Sequence, residues 1–495
     1  MSQKFQNFIN GKWCDSVSEK TFENRNPADW SDLIGLFPLS TKEDVNEAVK
    51  SARNAYNGWR LTPAPKRGDI LRRVGDLMSL RKEELAREMT REMGKVLAET
   101  RGDVQEGIDT AYYAATEGRK LFGYTVPSEM PNKFAMSVRV PMGVAGIITP
   151  WNFPMAIPTW KIFPALLSGN TIVFKPATDT PKTATTLIEI LMEAGIPEGV
   201  VNLVHGSGAE VGNAITSHED VNLISFTGST FVGKKIQRDS TETLKRVSLE
   251  LGGKNAQIVL EDADLDLALD GVLWGAFGTT GQRCTATSRL ILDDKIYDKF
   301  ISMLLEKTKN LKLGNGLFSG SQVGPCVNEK QRLSVDEFVK IGISEGANLL
   351  CGGKFATDGD LSKGWFYEPT IFINVNPEMR IAKEEIFGPV LSVIRSKNIE
   401  ESIKILNNTI YGLSSSVYTK DVNKAFLAIR DIEAGITYIN APTIGAEAHL
   451  PFGGVKQTGN GHREGGWTVY DFYTEWKAIY VDYSGHLQRP QIDNY

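Results

Sequence analysis

An α/β fold with two parallel sheets is what the amino-acid sequence predicts, and two observations carry that expectation. Short β-branched runs alternate with segments of helical periodicity, and the alternation comes in two separate series. The first comprises VAGIITP from Val144, TIVFKP from Thr171, VNLVHG from Val201 and LISFTG from Leu223. The second begins near Asn255 with NAQIVL and continues through SRLILD, ANLLCGG, TIFINV and LSVIRS. Apolar strands separated by helical stretches are the signature of βαβ units, with helices on both faces of the sheet. The 495 residues, at ~150 per domain, leave ample chain for two such units and more.

Ahead of the first series the chain is expected to be mostly helical, up to about Phe122. Thr41-x-x-Asp44 opens DVNEAVKSARNAYNGW with apolar residues at helical spacing, and a second long helical stretch is predicted from about Lys66 to Leu97. Val140 to Trp160 lacks any charge, but Pro141, Pro150, Pro154 and Pro158 would leave backbone groups unsatisfied in lipid. A buried strand followed by a loop is expected there, and no membrane partner. The opening MSQKFQNFINGKWCDS has no apolar core of a secretory signal. At the far end EWKAIYVDYS has strand composition, so it needs a sheet edge from its own chain or a neighbouring subunit.

Composition narrows the function. Lys and Arg number 55 against 60 Asp and Glu, a net charge of −5, which offers no basic surplus for nucleic acid. The cysteines Cys14, Cys284, Cys326 and Cys351 have no C-x-x-C spacing, and the five histidines show no paired spacing, so neither a disulfide framework nor a metal cage is expected. A reducing, cytoplasmic setting suits such a chain. The 47 glycines are numerous and concentrate in the motifs that follow.

Two glycine patterns compete for a dinucleotide. Gly206-Ser-Gly208-Ala-Glu-Val-Gly212 has the wrong spacing for the Rossmann fingerprint and suits a strand-to-helix turn equally well. Phe226-Thr-Gly228-Ser229-Thr-Phe-Val-Gly233 places Gly228 and Ser229 where a strand ends and a helix begins, a setting that favours a diphosphate. The strongest local signal is Gly281-Gln-Arg283-Cys284-Thr-Ala. Arg283 beside the cysteine, amid small residues, predicts an electropositive, accessible thiol. Three further stretches set one polar residue among apolar or glycine neighbours: Pro150-Trp151-Asn152-Phe-Pro, Leu249-Glu250-Leu-Gly-Gly-Lys and Glu384-Glu385-Ile-Phe387-Gly-Pro.

The ordered set PWNFP, FKPA, FTGST-x-x-G, ELGGKN, GQRCTA and EEIFGP resembles the aldehyde dehydrogenase superfamily, over nearly the whole chain from FINGKW to PFGGVKQTG. The resemblance implies a Rossmann-like cofactor domain at 1–122 and 142–251 and a second α/β catalytic domain at 252–453. It also implies β segments for bridging and oligomerisation at 123–141 and 470–495, in a homodimer or homotetramer. It implies Cys284 as nucleophile, Asn152 with the Cys284 N–H as oxyanion hole, and Glu250 as the base that activates water. Lys175 would meet the adenosine ribose, Ser229 and Gly228 the diphosphate, and Glu385 with Phe387 the nicotinamide ribose; Thr149 and Trp151 would flank the cleft. NAD-preferring members usually carry a glutamate where this chain has Thr178, so NADP is expected to be accepted as well as NAD.

For the substrate, Arg283 is a candidate anion binder, with a salt bridge to a nearby acid as its other reading. Gly445 and Ala446 resemble the carboxylate anchor of the α-aminoadipic semialdehyde (antiquitin-like) branch, and Glu106 its acid for the substrate amino group. Ala448-His-Leu-Pro-Phe departs from that branch. The expected reaction is oxidation of a carboxylate-bearing aldehyde through a thiohemiacetal and thioester. Non-phosphorylating glyceraldehyde-3-phosphate dehydrogenases share GQRCTA but add an anchor-loop arginine, which Thr443 to Pro451 lacks. A catalytically silent member and a CoA-acylating one are the remaining alternatives.

Overall fold

A computed structural model describes residues 3–492. Its first large sheet has five parallel strands in the order Arg246–Glu250, Leu223–Thr227, Val144–Ile148, Thr171–Lys175 and Val201–Leu203. Asn7–Ile9 and Lys12–Cys14 add antiparallel strands at one edge. Val144–Ile148 and Thr171–Lys175 are buried at every position, as strands covered by helices on both faces must be. Chain order runs outward in one direction from Val144–Ile148 and then reverses, so Leu223–Thr227 lies on its other side. That reversal opens a crevice beyond the strand ends, just after Ile148 and Thr227.

The second large sheet runs Asn348–Cys351, Thr370–Ile373, Val390–Ser396, Arg289–Asp293, Ala256–Val259, Ser414–Tyr418 and Ile436–Ile439, parallel except for its first strand. All nine strand runs singled out in the sequence are strands here. The chain before Phe122 differs from the expectation in two ways. Thr21–Arg25 and Leu33–Pro38 form a separate antiparallel pair, so the helical region begins only at Lys42–Leu61. The helical stretch expected from Lys66 to Leu97 is instead Ala64–Leu80, Lys82–Met93 and the start of Leu97–Glu117. Arg81, at φ −101° and ψ 11°, breaks the first joint, and Gly94, at φ 93°, closes the second helix in the left-handed conformation that glycine tolerates.

The uncharged run from Val140 ends the strand Lys133–Pro141, supplies Val144–Ile148, turns, and starts the helix Ala156–Ser168. Among the described residues no helix is long and apolar enough to cross a membrane. The C-terminal strand Thr474–Asp482 finds its edge within the chain, pairing antiparallel with Lys133–Pro141 along its full length, and Tyr124–Pro127 completes a three-stranded sheet. Residues 493–495 of the expected oligomerisation segment lie outside the described residues. Arg246 fastens this return to the first sheet, donating to the backbone carbonyls of Asp471, Phe472 and Thr474 at 2.9–3.1 Å. Tyr470, Phe472 and Tyr473 are buried in the core beside the helix Ala156–Ser168.

Candidate active site

The crevice at the strand reversal is a cavity of about 230 Å³. Trp151 and Asn152 reach it from the turn after Val144–Ile148, Gly228 and Ser229 from the end of Leu223–Thr227, and Glu385 and Phe387 from the other domain. Ser229 caps the helix Thr230–Asp239, its hydroxyl accepting from the Val232 N–H at 3.4 Å. The helix therefore presents its free N–H groups and positive dipole end to the crevice. Gly252 has no room for a side chain, since a Cβ would stand 2.2 Å from Glu385 Oε2. Glu385 Oε1 accepts from the Gly253 N–H at 3.0 Å, and burial raises its carboxyl to about 7. Phe387 adopts φ 57° and meets the Trp151 ring edge-on at 5.4 Å.

Thr149 and Lys175 stand at the ends of the neighbouring strands Val144–Ile148 and Thr171–Lys175 and are not among the residues lining this cavity. The Thr149 N–H donates to the Lys175 carbonyl at 3.2 Å, and the buried Lys175 ammonium donates to the Pro176 carbonyl at 2.7 Å, its pKa lowered to about 8 by burial. Thr178 is partly exposed in the turn before the helix Pro181–Glu193 and does not line the crevice. Its neighbour Asp179 accepts from Asn328 at 2.7 Å.

A second and larger cavity, about 730 Å³, opens on the opposite side of Cys284. Cys284 lines both cavities and is the place where they meet. The Cys284 loop is held from behind: Asn255 Nδ2 donates to the Cys284 carbonyl at 2.7 Å and to that of Ala286 at 3.0 Å, and Thr443 Oγ1 donates to the Thr285 carbonyl at 2.6 Å. Neither Asn255 nor Thr443 was singled out from sequence, although Asn255 closes the ELGGKN motif. Gln331, which lines the smaller cavity and donates to the Phe387 carbonyl at 2.9 Å, lies in no motif at all.

The expected electropositive setting of the thiol is not what the fold builds. Thr279, Thr280 and Gly281 all have positive φ, at 53°, 58° and 67°. Arg283 folds back on this turn, donating to Thr279 Oγ1 at 2.9 Å and pairing with Glu99 at 2.9 Å. Its guanidinium is thereby partly neutralised and lines the larger cavity. What the sulfur feels is burial first, then the charges of Glu385 and Glu250, and together they push the thiol up to about 12. Cys284 is a protonated thiol at neutral pH in this arrangement.

Glu250 ends the strand Arg246–Glu250 and is 4% exposed, with neither carboxylate oxygen hydrogen-bonded. Burial, reinforced by Glu464, raises its carboxyl well above the ordinary range. Glu464 itself accepts from the buried Lys161 at 2.5 Å. Asn152 is 2% exposed, and its Oδ1 has no partner. On the larger cavity's walls stand Glu106, Arg283, Gly445 and Ala446, with Phe153 and Trp274 flanking the guanidinium at 5.5 and 5.7 Å. Gly445 adopts φ 124°, and its carbonyl accepts from the Tyr438 hydroxyl. No metal-holding group of His, Cys, Asp and Glu occurs among the described residues.

Residues 13–479 match the family model described as the aldehyde dehydrogenase family. The chain belongs to that family. It is an NAD(P)-dependent aldehyde dehydrogenase, an enzyme that oxidises an aldehyde to the carboxylic acid. Among its relatives, an α-ketoglutaric semialdehyde dehydrogenase of Bacillus subtilis (strain 168) is 43% identical over 96% of this chain and 98% of its own. A 2,5-dioxopentanoate dehydrogenase of Saccharolobus solfataricus is 42% identical over 95% and 98%. Among solved aldehyde dehydrogenase structures, a betaine aldehyde dehydrogenase of Staphylococcus aureus in complex with NAD+ and with a BME-modified cysteine has a TM-score of 0.95. It is 36% identical, covering 97% of both chains.

Proposed function

We propose that this aldehyde dehydrogenase acts on a semialdehyde carrying a carboxylate, with Cys284 as nucleophile, Asn152 as oxyanion donor and Glu250 as base. The observation that carries the proposal is the position of Cys284 between two cavities of different chemistry. The smaller one suits a dinucleotide. It offers the helix start at Ser229 for a diphosphate, the Glu385 carboxylate for ribose hydroxyls, and a Gly252 surface against which a ring can lie flat. The NAD+ complex of the Staphylococcus aureus enzyme supports the same assignment. When bound, NAD(P) supplies a hydride acceptor. The chain's residues do the rest. Cys284 gives its proton up to solvent water and its sulfur bonds to the aldehyde carbon as the C=O π pair moves to oxygen; that oxyanion is met by the Asn152 amide and the Cys284 N–H, each donor worth ~3 kcal/mol in comparable sites. Cys284 then holds the oxidised acyl group as a thioester. Glu250, acting in its ionised form, takes a proton from water, the new C–O bond displaces the C–S bond, and that proton returns to the sulfur as the acid leaves.

In the larger cavity Arg283 keeps its Nη1 without a protein partner among the described residues, and a substrate carboxylate can share the guanidinium with Glu99. His449, the other lining group able to become cationic, faces Glu447 at 3.4 Å, so a doubly charged phosphate would find only one strong clamp. The names of the relatives, both keto-acid semialdehyde dehydrogenases, agree with this choice. Arg283→Ala is expected to lower kcat/KM for 5-oxopentanoate by roughly 10- to 100-fold while leaving pentanal nearly unchanged. Equal losses for both aldehydes would overturn the reading.

By the resemblance Thr178 stands where NAD-preferring members carry a glutamate, and its uncharged side chain supports use of NADP as well as NAD. The kcat/KM ratio of the two cofactors is expected to lie within about tenfold, and Thr178→Glu to move it toward NAD by at least ~10-fold through repulsion of the 2′-phosphate. A strong NAD preference in the unaltered enzyme would sink this point. A homodimer or homotetramer is supported by the exposed Tyr124, Trp476 and Tyr480 of the three-stranded sheet, with Phe122 exposed just before it. Four free cysteines suit a cytoplasmic location.

A further inference from the structure

Glu106 stands mid-way along the helix Leu97–Glu117 on the wall of the larger cavity. Its neighbours are already paired: Lys95 with Asp103 at 2.6 Å, and Arg283 with Glu99 at 2.9 Å. Asp103 also accepts from the Ala156 N–H at 2.7 Å. Glu106 Oε1, by contrast, is buried and has no hydrogen-bond partner. A buried carboxyl oxygen without a partner costs free energy, and the carboxyl it belongs to lines the cavity, where a ligand can meet it.

Which ligand satisfies it depends on the proton. The charged and titratable groups around Glu106 are Asp103 and Asp109 on its own helix, Lys95 from the segment preceding that helix, Arg283 from the nucleophile loop, and Tyr438 from the strand Ile436–Ile439. Burial and Asp103 outweigh the two cations, and the carboxyl rises to about 8. At neutral pH the group is therefore a hydroxyl donor with no negative charge to offer an ammonium.

We propose that Glu106 is a specificity-determining residue whose carboxyl O–H donates to an oxygen on the substrate carbon next to the carboxylate held by Arg283. The enzyme thereby selects a 2-oxo semialdehyde over one with a methylene or an amino group at that carbon. This replaces the amine-binding role that the antiquitin-like resemblance implied for Glu106. It rests on the carboxylate-binding role of Arg283 proposed above.

The test compares aldehydes that differ at one carbon, using the intact enzyme. Wild type is expected to prefer 2,5-dioxopentanoate to 5-oxopentanoate by roughly tenfold in kcat/KM at pH 7. The preference should fade as pH rises through about 8, where the donor proton is lost. Taking the ratio of two substrates cancels the titration of Cys284 and Glu250. Glu106→Gln, which keeps an N–H donor, should retain the preference and lose its pH dependence, whereas Glu106→Ala should abolish the preference. The assignment is overturned if Glu106→Ala keeps the preference, or if wild type favours 2-aminoadipic semialdehyde and Glu106→Gln loses that substrate. If wild type does not prefer 5-oxopentanoate to pentanal, the Arg283 reading falls and the assignment with it. If that preference stands but the Glu106 variants leave discrimination at the 2-carbon unchanged, the assignment alone falls.

Discussion

Cys284→Ala is expected to lower kcat/KM by roughly 10⁴-fold or more, with no burst of reduced cofactor at any enzyme concentration. Removing the sulfur removes the only atom that bonds to substrate, and neither the oxyanion donor nor the base can substitute for it. The fold should be indifferent. The thiol is uncharged in place, and the loop is held through its backbone by Asn255 and Thr443. Thermal unfolding of the variant should therefore match wild type, which separates loss of chemistry from loss of structure. Residual turnover above about one part in 10³ would point to another nucleophile and overturn the assignment. Alkylation of the wild-type thiol is a companion measurement. A pKa pushed up to about 12 makes it slow at pH 7 and faster as pH rises, and a cationic ring bound in the adjoining crevice should speed it by opposing Glu385 and Glu250. A catalytically silent protein would show no such response to cofactor.

Glu250→Gln is expected to separate the two halves of the reaction. Acylation needs the sulfur, so about one equivalent of reduced cofactor per site should form rapidly, and deacylation should then slow by roughly 10²- to 10⁴-fold. Rapid release by CoA but not by water, in wild type, would favour the acylating alternative. Stability should move the other way. A carboxyl whose folded pKa lies far above its unfolded one is neutral on both sides of the transition in acid, but above pH ~4.5 the unfolded form ionises and is favoured. Wild type is thus penalised increasingly as pH rises from that point, whereas the uncharged glutamine is not. Glu250→Gln should unfold at or above the wild-type temperature at pH 7 to 8. A variant with lower stability and no burst would show Glu250 acting as a structural acid.

Glu250 was legible in the amino-acid sequence as a lone polar group in an apolar and glycine-rich stretch, a signature Asn152 shares, and Cys284 as a thiol beside Arg283 amid small residues. What surrounds them was not. Glu464 and Lys161, which set the charge around Glu250, lie 303 residues apart in the chain and in stretches with no chemical motif. Gln331 reaches the crevice from a helix that reads as ordinary surface. The electropositive thiol expected from Arg283 is absent for a local reason, since three successive residues of positive φ turn the chain and send the guanidinium to Glu99, the salt bridge that was its other reading. Adjacency along the chain says which charges are near, and backbone dihedrals decide which way they face. The first forty residues misled similarly, because edge strands such as Thr21–Arg25, partly exposed, lack the apolar run that marks a central strand.

The last turn of the chain has a bearing on biosynthesis. Glu464 supplies the counter-charge to Lys161, Arg246 is occupied only once Asp471 to Thr474 exist, and Lys133–Pro141 waits for Thr474–Asp482. On the ribosome, the first sheet can collapse while these partners are still untranslated, but it would do so with a buried lysine uncompensated and a nine-residue edge open. A nascent chain carrying every motif residue from Asn152 to Phe387 is therefore still an unfinished enzyme. Chains truncated between Phe387 and Thr474 lack these partners and should unfold at lower temperature and be cleaved faster by protease than the full chain.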